Sequence, residues 1–210
     1  MNRKLTLFMF MLMSCLVTSA GWTQDWIFSP MPRVITGGTV GYFRVSLDNF
    51  NDLYSSRWDT YYSGQVSVRF YHSTYASFQY ATFTTAGKTV TVEGANLTGQ
   101  ADWQETFMNI GLRRYSDTNR KWRFFTGVGF IFIDIEEAAG ISIFANKNST
   151  DTRTKGSGFY LEIGGDYRFI PHAAIGWEIE ANSAGEGGNP GFAGSNLGGL
   201  AFQVGLSLDY

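Results

Sequence analysis

The chain has 210 residues, enough for one domain and too few for a second independent core. Aromatic residues make up 17% of it and charged residues only 16%, below the roughly 25% usual in globular chains. Yet the mean hydropathy of -0.12 excludes a bundle of membrane-spanning helices, and a net charge of -2 without any basic run excludes a nucleic-acid partner.

The N-terminus carries the one long apolar run, Leu5 to Ala20, preceded by Arg3 and Lys4 and ending on the small residues Thr18, Ser19 and Ala20. That layout predicts a secretory signal peptide over residues 1–20, cleaved after Ala20. Two alternatives are a membrane anchor, for which the run is short, and a lipoprotein signal acylated at Cys15. Apolar sequence continues past Cys15, where a polar tether would be expected. Cleavage after Ala20 removes this sole cysteine, so the exported chain forms no disulfide.

Residues 21–37 show no strong alternation, and Pro32 argues against a central strand there. They are expected to form a periplasmic lead-in or a partial plug. From residue 38 onward, period-2 alternation recurs and no stretch is long and apolar enough for a spanning helix. Strands are predicted over 39–48, 62–71, 75–84 and 104–114. In the next, Trp122, Phe124, Thr126, Val128, Phe130 and Phe132 alternate with Arg123, Phe125, Gly127, Gly129 and Ile131. Two more follow, with Phe159, Leu161 and Ile163 opposite Tyr160, Glu162 and Gly164, then Ile175, Trp177 and Ile179 opposite Gly176, Glu178 and Glu180. The eighth is the clearest. Leu200, Phe202, Val204, Leu206, Leu208 and Tyr210 form one apolar face, and Ala201, Gln203, Gly205, Ser207 and Asp209 a small or polar one.

One face for lipid and one for a narrow interior predict an all-β fold, a single up-and-down antiparallel transmembrane barrel of about eight strands over residues 38–210. The connections agree, since long links alternate with tight turns near His72-Ser73-Thr74, Ser116 to Asn119 and Pro171-His172. Short turns are periplasmic and long loops extracellular in bacterial outer-membrane barrels, so both termini are expected on the periplasmic side. Tyr61, Tyr62, Phe70, Tyr71, Tyr75, Trp103, Tyr115, Trp122, Tyr167, Phe169 and Tyr210 fall where interfacial girdles belong. The competing architecture is a soluble β-sandwich with scattered aromatics.

Charge is expensive against hydrocarbon, about 2–4 kcal/mol for a basic residue at the midplane. The polar residues sharing the inward phase are therefore expected in the lumen: Arg44, Gln65, Arg69, Gln79, Glu105, Asn109, Arg113, Arg123, Glu162, Asp166, Arg168, Glu178, Glu180 and Gln203. Eight strands leave an interior that side chains fill, or that holds one small ligand. Arg44 is expected to pair with Glu162, Glu178 and Glu180 at mid-depth, either to neutralise buried charge or as a gate. Arg69, Arg113, Arg123 and Arg168 are expected nearer the periplasmic mouth.

The terminal Phe202 to Tyr210 strand and the Gly164-Gly165-Asp166-Tyr167-Arg168-Phe169-Ile170-Pro171-His172 segment resemble the small outer-membrane β-barrels of the porin family, opacity-type and outer-membrane protein W-like. The resemblance covers residues 38 to 210. It implies a Gram-negative outer-membrane location, outer-membrane lipids as surroundings, and an assembly machinery that reads Phe202, Val204, Leu206, Leu208 and Tyr210.

The same barrel serves many functions, so activity must be argued from residues. A general base would most simply be histidine, but His72 and His172 both fall in periplasmic turns. The lipid-modifying enzymes that this architecture resembles act toward the outer leaflet, so no catalytic residue and no cofactor is expected. No histidine or cysteine pair has metal-ligand spacing, and Glu136, Glu137 and Asp151 read as a solvated loop rather than a calcium site. The expected role is a non-enzymatic barrel with a polar, side-chain-filled lumen that contributes to envelope structure and surface interaction. A narrow channel for small or hydrophobic solutes, or an adhesin acting through residues 141–155 and 184–196, are the alternatives. No ligand can be named from sequence.

Overall fold

Alternation over long stretches gives strands whose backbone groups must all be paired if they are to cross hydrocarbon, and only a closed sheet achieves that. The computed structural model describes residues 32–47, 50–91, 98–116, 121–137, 153–186 and 196–210. The expected signal peptide with Cys15 and its cleavage position Ala20, most of the lead-in, and most of the two long links offered as adhesive loops lie outside these residues.

The strands are β1 (Val34–Val45), β2 (Trp58–Tyr71), β3 (Thr74–Thr91), β4 (Thr98–Tyr115), β5 (Trp122–Glu137), β6 (Arg153–Ile170), β7 (Ala173–Glu186), the two-residue β8 (Asn196–Leu197) and β9 (Gly199–Asp209). All neighbours are antiparallel. Each long strand pairs with the next, β7 passes to β9, and β9 pairs with β1 from Ile35↔Asp209 to Val45↔Gly199, which closes the ring. Eight long strands thus make one up-and-down barrel, with β8 a short extension against β7 at Ala184 and Gly185. Between β8 and β9, Gly198 takes a φ of 117°, a conformation open to glycine but not to L side chains.

The outer wall exposes Val40, Tyr42, Phe78, Ile110, Phe130, Trp177, Val204 and Leu206, while the residues between them are buried or half-buried. So much apolar surface on one continuous face fits a lipid solvent and not water. No helix among the described residues is long and apolar enough to cross a membrane; the strands do the crossing.

Several expectations need correction. β1 begins at Val34, inside the stretch assigned to the lead-in, because pairing with β2 and β9 extends it past its alternating part. β3 and β4 reach 18 residues each, well past the roughly 9–11 that cross the hydrocarbon. Beyond the membrane both faces meet polar surroundings, so the alternation that would mark a strand fades. Arg44 is exposed on the outer wall, with Phe43 and Val45 turned inward. It lies one residue from the top of β1, opposite Trp58 and Leu200, where nothing forces a cation into the lumen. Tyr61, Tyr75, Trp103 and Tyr115 point inward rather than forming girdles, whereas Tyr62, Phe70, Tyr71, Trp122, Phe169 and Tyr210 are exposed.

Candidate functional site: the lumen

The lumen is built in three storeys, because each strand presents every second residue to it and the register sets their heights. The lowest lies at the end that carries both the short turns and the ends of the described residues, Pro32 and Tyr210. Arg123, from β5, donates from Nη1 to both oxygens of Asp209 at 3.1 and 2.9 Å, and from Nη2 to Asp166 at 2.7 Å. Arg168 donates to Asp209 from Nε at 2.8 Å. Two cations thus face two carboxylates. Ile35, Tyr75, Tyr115 and Phe125 pack just above, with the Arg123 guanidinium 5.3 Å from the Tyr115 ring centre.

The middle storey centres on Arg113. Its guanidinium grips Glu162 with two parallel bonds of 2.7 Å, Nε to Oε1 and Nη2 to Oε2, and Nη2 also reaches Glu178 at 2.9 Å. The fork geometry of arginine suits this bidentate grip. The Phe125 ring lies under the cation at 4.2 Å. Gly127 makes room for the carboxylate, since a Cβ there would stand 2.0 Å from Glu162 Oε1.

An amide chain continues from this ion pair. Gln79 and Gln203 each approach Glu178 Oε1 at 3.4 Å, and Asn109 donates to Gln79 Oε1 at 2.8 Å and to Glu180 Oε2 at 3.0 Å. Asn182 donates to Glu180 Oε1 at 2.8 Å and accepts from the Gly199 N–H at 2.7 Å. Ser63 and Thr39 both donate to Gln203 Oε1. Below Glu178 a cavity of about 20 Å³ is lined by Thr39, Gln65, Asp166, Gln203 and Ser207, with room for about one water.

The upper storey is apolar. Phe43, Tyr61, Phe83 and Phe107 form an aromatic cluster with ring centres 5.0 to 5.6 Å apart, joined by Ile131, Ile133 and Ile135. A short helix, α1 (Phe50–Leu53), lies over it. Phe50 stacks on Tyr54 at 4.5 Å, and both meet the Trp103 ring edge-on at 5.1 Å. The Tyr54 hydroxyl donates to Glu137 at 3.0 Å, and its backbone bridges to Gly87. Trp103 in turn donates to Glu105 at 2.8 Å. The first long link is therefore a cap on the lumen.

Glu105, Asn109, Arg113, Arg123, Glu162, Asp166, Glu178, Glu180 and Gln203 are all buried in the lumen. Gln65, Arg69 and Arg168 lie in it partly exposed. Arg44 is not brought to the carboxylates; Arg113 takes the central position that the sequence assigned to Arg44. Parity alone could not rank the arginines by height, because the stagger between strands sets which rung each reaches. Sequence reasoning also missed the aromatic storey and its helical cap. Their signal was Phe50 and Tyr54, four residues apart in the first long link.

The histidines lie at the lower end. His72 is exposed and set against Tyr71 at 4.2 Å, and His172 Nδ1 is 3.2 Å from the Asp209 backbone oxygen. Neither is part of a nucleophile–base pair.

No family model matches the sequence, and no curated protein does. Among solved structures, the N-terminal β-barrel domain of Pseudomonas aeruginosa OprF is similar with a TM-score of 0.52 at 10% identity, over 85% of this chain and 98% of that one. Yersinia pestis Ail gives 0.52 at 11% identity, over 85% and 99%. The Pseudomonas aeruginosa outer membrane protein OprG gives 0.51 at 17%, over 84% and 94%. At such identities the likeness is one of fold: the chain has the fold of the small outer-membrane β-barrels.

Proposed function

We propose that this chain is an exported protein of the bacterial outer membrane, surrounded by outer-membrane lipids, that acts without catalysis through envelope structure and surface contact. The observation that carries this reading is the filled lumen. From Asp209 at the turn end to Trp103 under the α1 cap, inward side chains are buried against one another in paired charges, amide bonds and stacked rings. A conduit for solutes would need a continuous opening, and a packed aromatic storey above a paired ionic one speaks against it. The likeness to outer-membrane barrels supports the location, and the apolar outer wall supports the lipid surroundings.

The test is ion conductance of the purified barrel in planar bilayers. The expected result is no steady conductance above the bare membrane. A stable open level would overturn the closed reading and put the narrow channel in its place.

A further inference from the structure

The middle storey does not balance its charge. Glu162, Glu178 and Glu180 there, and Glu105 in the storey above, are each at most 4% exposed, and Arg113 is the single cation bonded among them in the described residues. The lower storey, by contrast, sets two arginines against two aspartates. Arg113 spends its bonds on Glu162 and Glu178. Glu180 receives only neutral amide donors and Glu105 only the Trp103 indole. A buried carboxylate without a proton is held by a positive partner or by a full set of donors, because an isolated buried ion costs far more than either.

One oxygen each from Glu162, Glu178 and Glu180 lie within 4.8 Å of one another. Independent of these carboxylates, buried neutral oxygens beside them lack a hydrogen-bond partner. The Tyr61 hydroxyl is fully buried and within electrostatic reach of Glu180, Glu178, Glu105 and Glu162. Asn109 is 1% exposed, and its amide sits on Glu180 through Nδ2 while its Oδ1 makes no bond. Glu105 Oε2 is unpaired as well.

We propose that the barrel binds one hard divalent cation of the calcium class in its lumen, held by Glu162, Glu178 and Glu180 with Asn109 Oδ1, and with Tyr61 at its edge. All donors are oxygens, which suits a hard ion and not a thiolate- or imidazole-seeking one. Calcium accepts about six to eight oxygens in a flexible geometry, whereas magnesium demands a near-ideal octahedron and gives up its waters reluctantly, so a dry lumen with irregularly placed side-chain oxygens suits calcium better. Each carboxylate keeps lone pairs beyond those used by Arg113, so the ion adds to the ion pairs rather than replacing them. Glu162 comes from β6 and Glu178 and Glu180 from β7, so the ion clamps two strands that join late in the ring and its binding counts toward folding. This site is separate from surface function and does not rest on the closed-conduit reading.

The experiment refolds the full-length exported chain from urea into detergent with calcium, with magnesium or with a chelator, then measures metal per chain after desalting. Expected is one calcium per chain, with magnesium retained about tenfold less or weaker. Glu180→Gln should lower calcium retention by about tenfold or more, while the rim double variant Asp134→Asn with Glu136→Gln should leave it unchanged. Should Glu180→Gln not fold, terbium replaces calcium on the unaltered barrel, and emission excited through the buried Tyr61 and Trp103 reports the ion. An unaltered barrel that retains no calcium and gives no excited terbium emission overturns the site. So does calcium retention that falls in the rim variant and not in Glu180→Gln.

Discussion

Arg113 and Arg44 are the same residue type on two strands of one barrel, yet their surroundings set opposite values on them. Arg113 is 1% exposed with two carboxylates on its guanidinium and a ring beneath it, so its removal would strand Glu162 and Glu178 in a dry lumen. Arg113→Ala should lose about 3–5 kcal/mol of stability, measured by urea unfolding in detergent. Arg44→Ala should stay within about 0.5 kcal/mol of the parent in the same assay. A second contrast concerns glycine. Gly111 and Gly129 face each other across β4 and β5, and the Tyr160 ring lies over them. A Cβ at Gly129 would meet Ile110 O at 2.3 Å and Gly111 Cα at 2.5 Å, both backbone atoms that cannot step aside. Gly129→Ala should therefore cost about 1–3 kcal/mol by overpacking. The inward face of Arg113 was legible from alternation, and so was the place of the inward glycines of β5. The outward face of Arg44 was not, because a residue near a strand end is released from the hydrocarbon penalty that makes parity informative.

The seam between β1 and β9 joins the two most distant strands, and Tyr210 extends it. Its N–H donates to Val34 O at 2.8 Å, and its carbonyl accepts from Arg33 and Val34. The ring itself is 67% exposed on the outer wall. Removing the ring thus takes nothing from the lumen, and any effect must arise outside it, in lipid or during assembly. Tyr210→Ser should refold in detergent with unchanged urea midpoint, yet accumulate less folded barrel in the outer membrane of cells. Equal accumulation would remove the role assigned to this residue. β9 was legible because its two faces differ along its full length. The other extreme is α1, whose four residues are too few for a helical period to declare itself. Its position is fixed by tertiary contacts with Trp103 and Glu137 rather than by local preference.

Taken together, the closed ring leaves no unpaired edge, and its filled interior ties opposite walls by ion pairs and rings. Unfolding one strand would break both neighbours and the lumen at once. The purified protein should accordingly migrate as a compact band on gels when unboiled and as an extended one after boiling, with a strand-dominated circular dichroism spectrum in the first state. A barrel that needs no detergent would count against the membrane reading. The closed eight-strand architecture was the most legible feature of all, since it follows from strand number, alternation and linker rhythm. The pairing of particular carboxylates with particular arginines was hidden, because Arg113 meets Glu162 across 49 positions and Glu178 across 65.

Closure through β9 also gives synthesis a built-in checkpoint. Every other junction in the ring can form between strands already adjacent in time, but β1 must wait for the strand made after all the rest. A message cut short anywhere before β9 yields a sheet with two open borders and an Arg123 deprived of Asp209. Such a product has no stable way to sit in a bilayer and stays exposed to the proteases of the compartment. The ring therefore matures only once β9 has arrived to pair with β1.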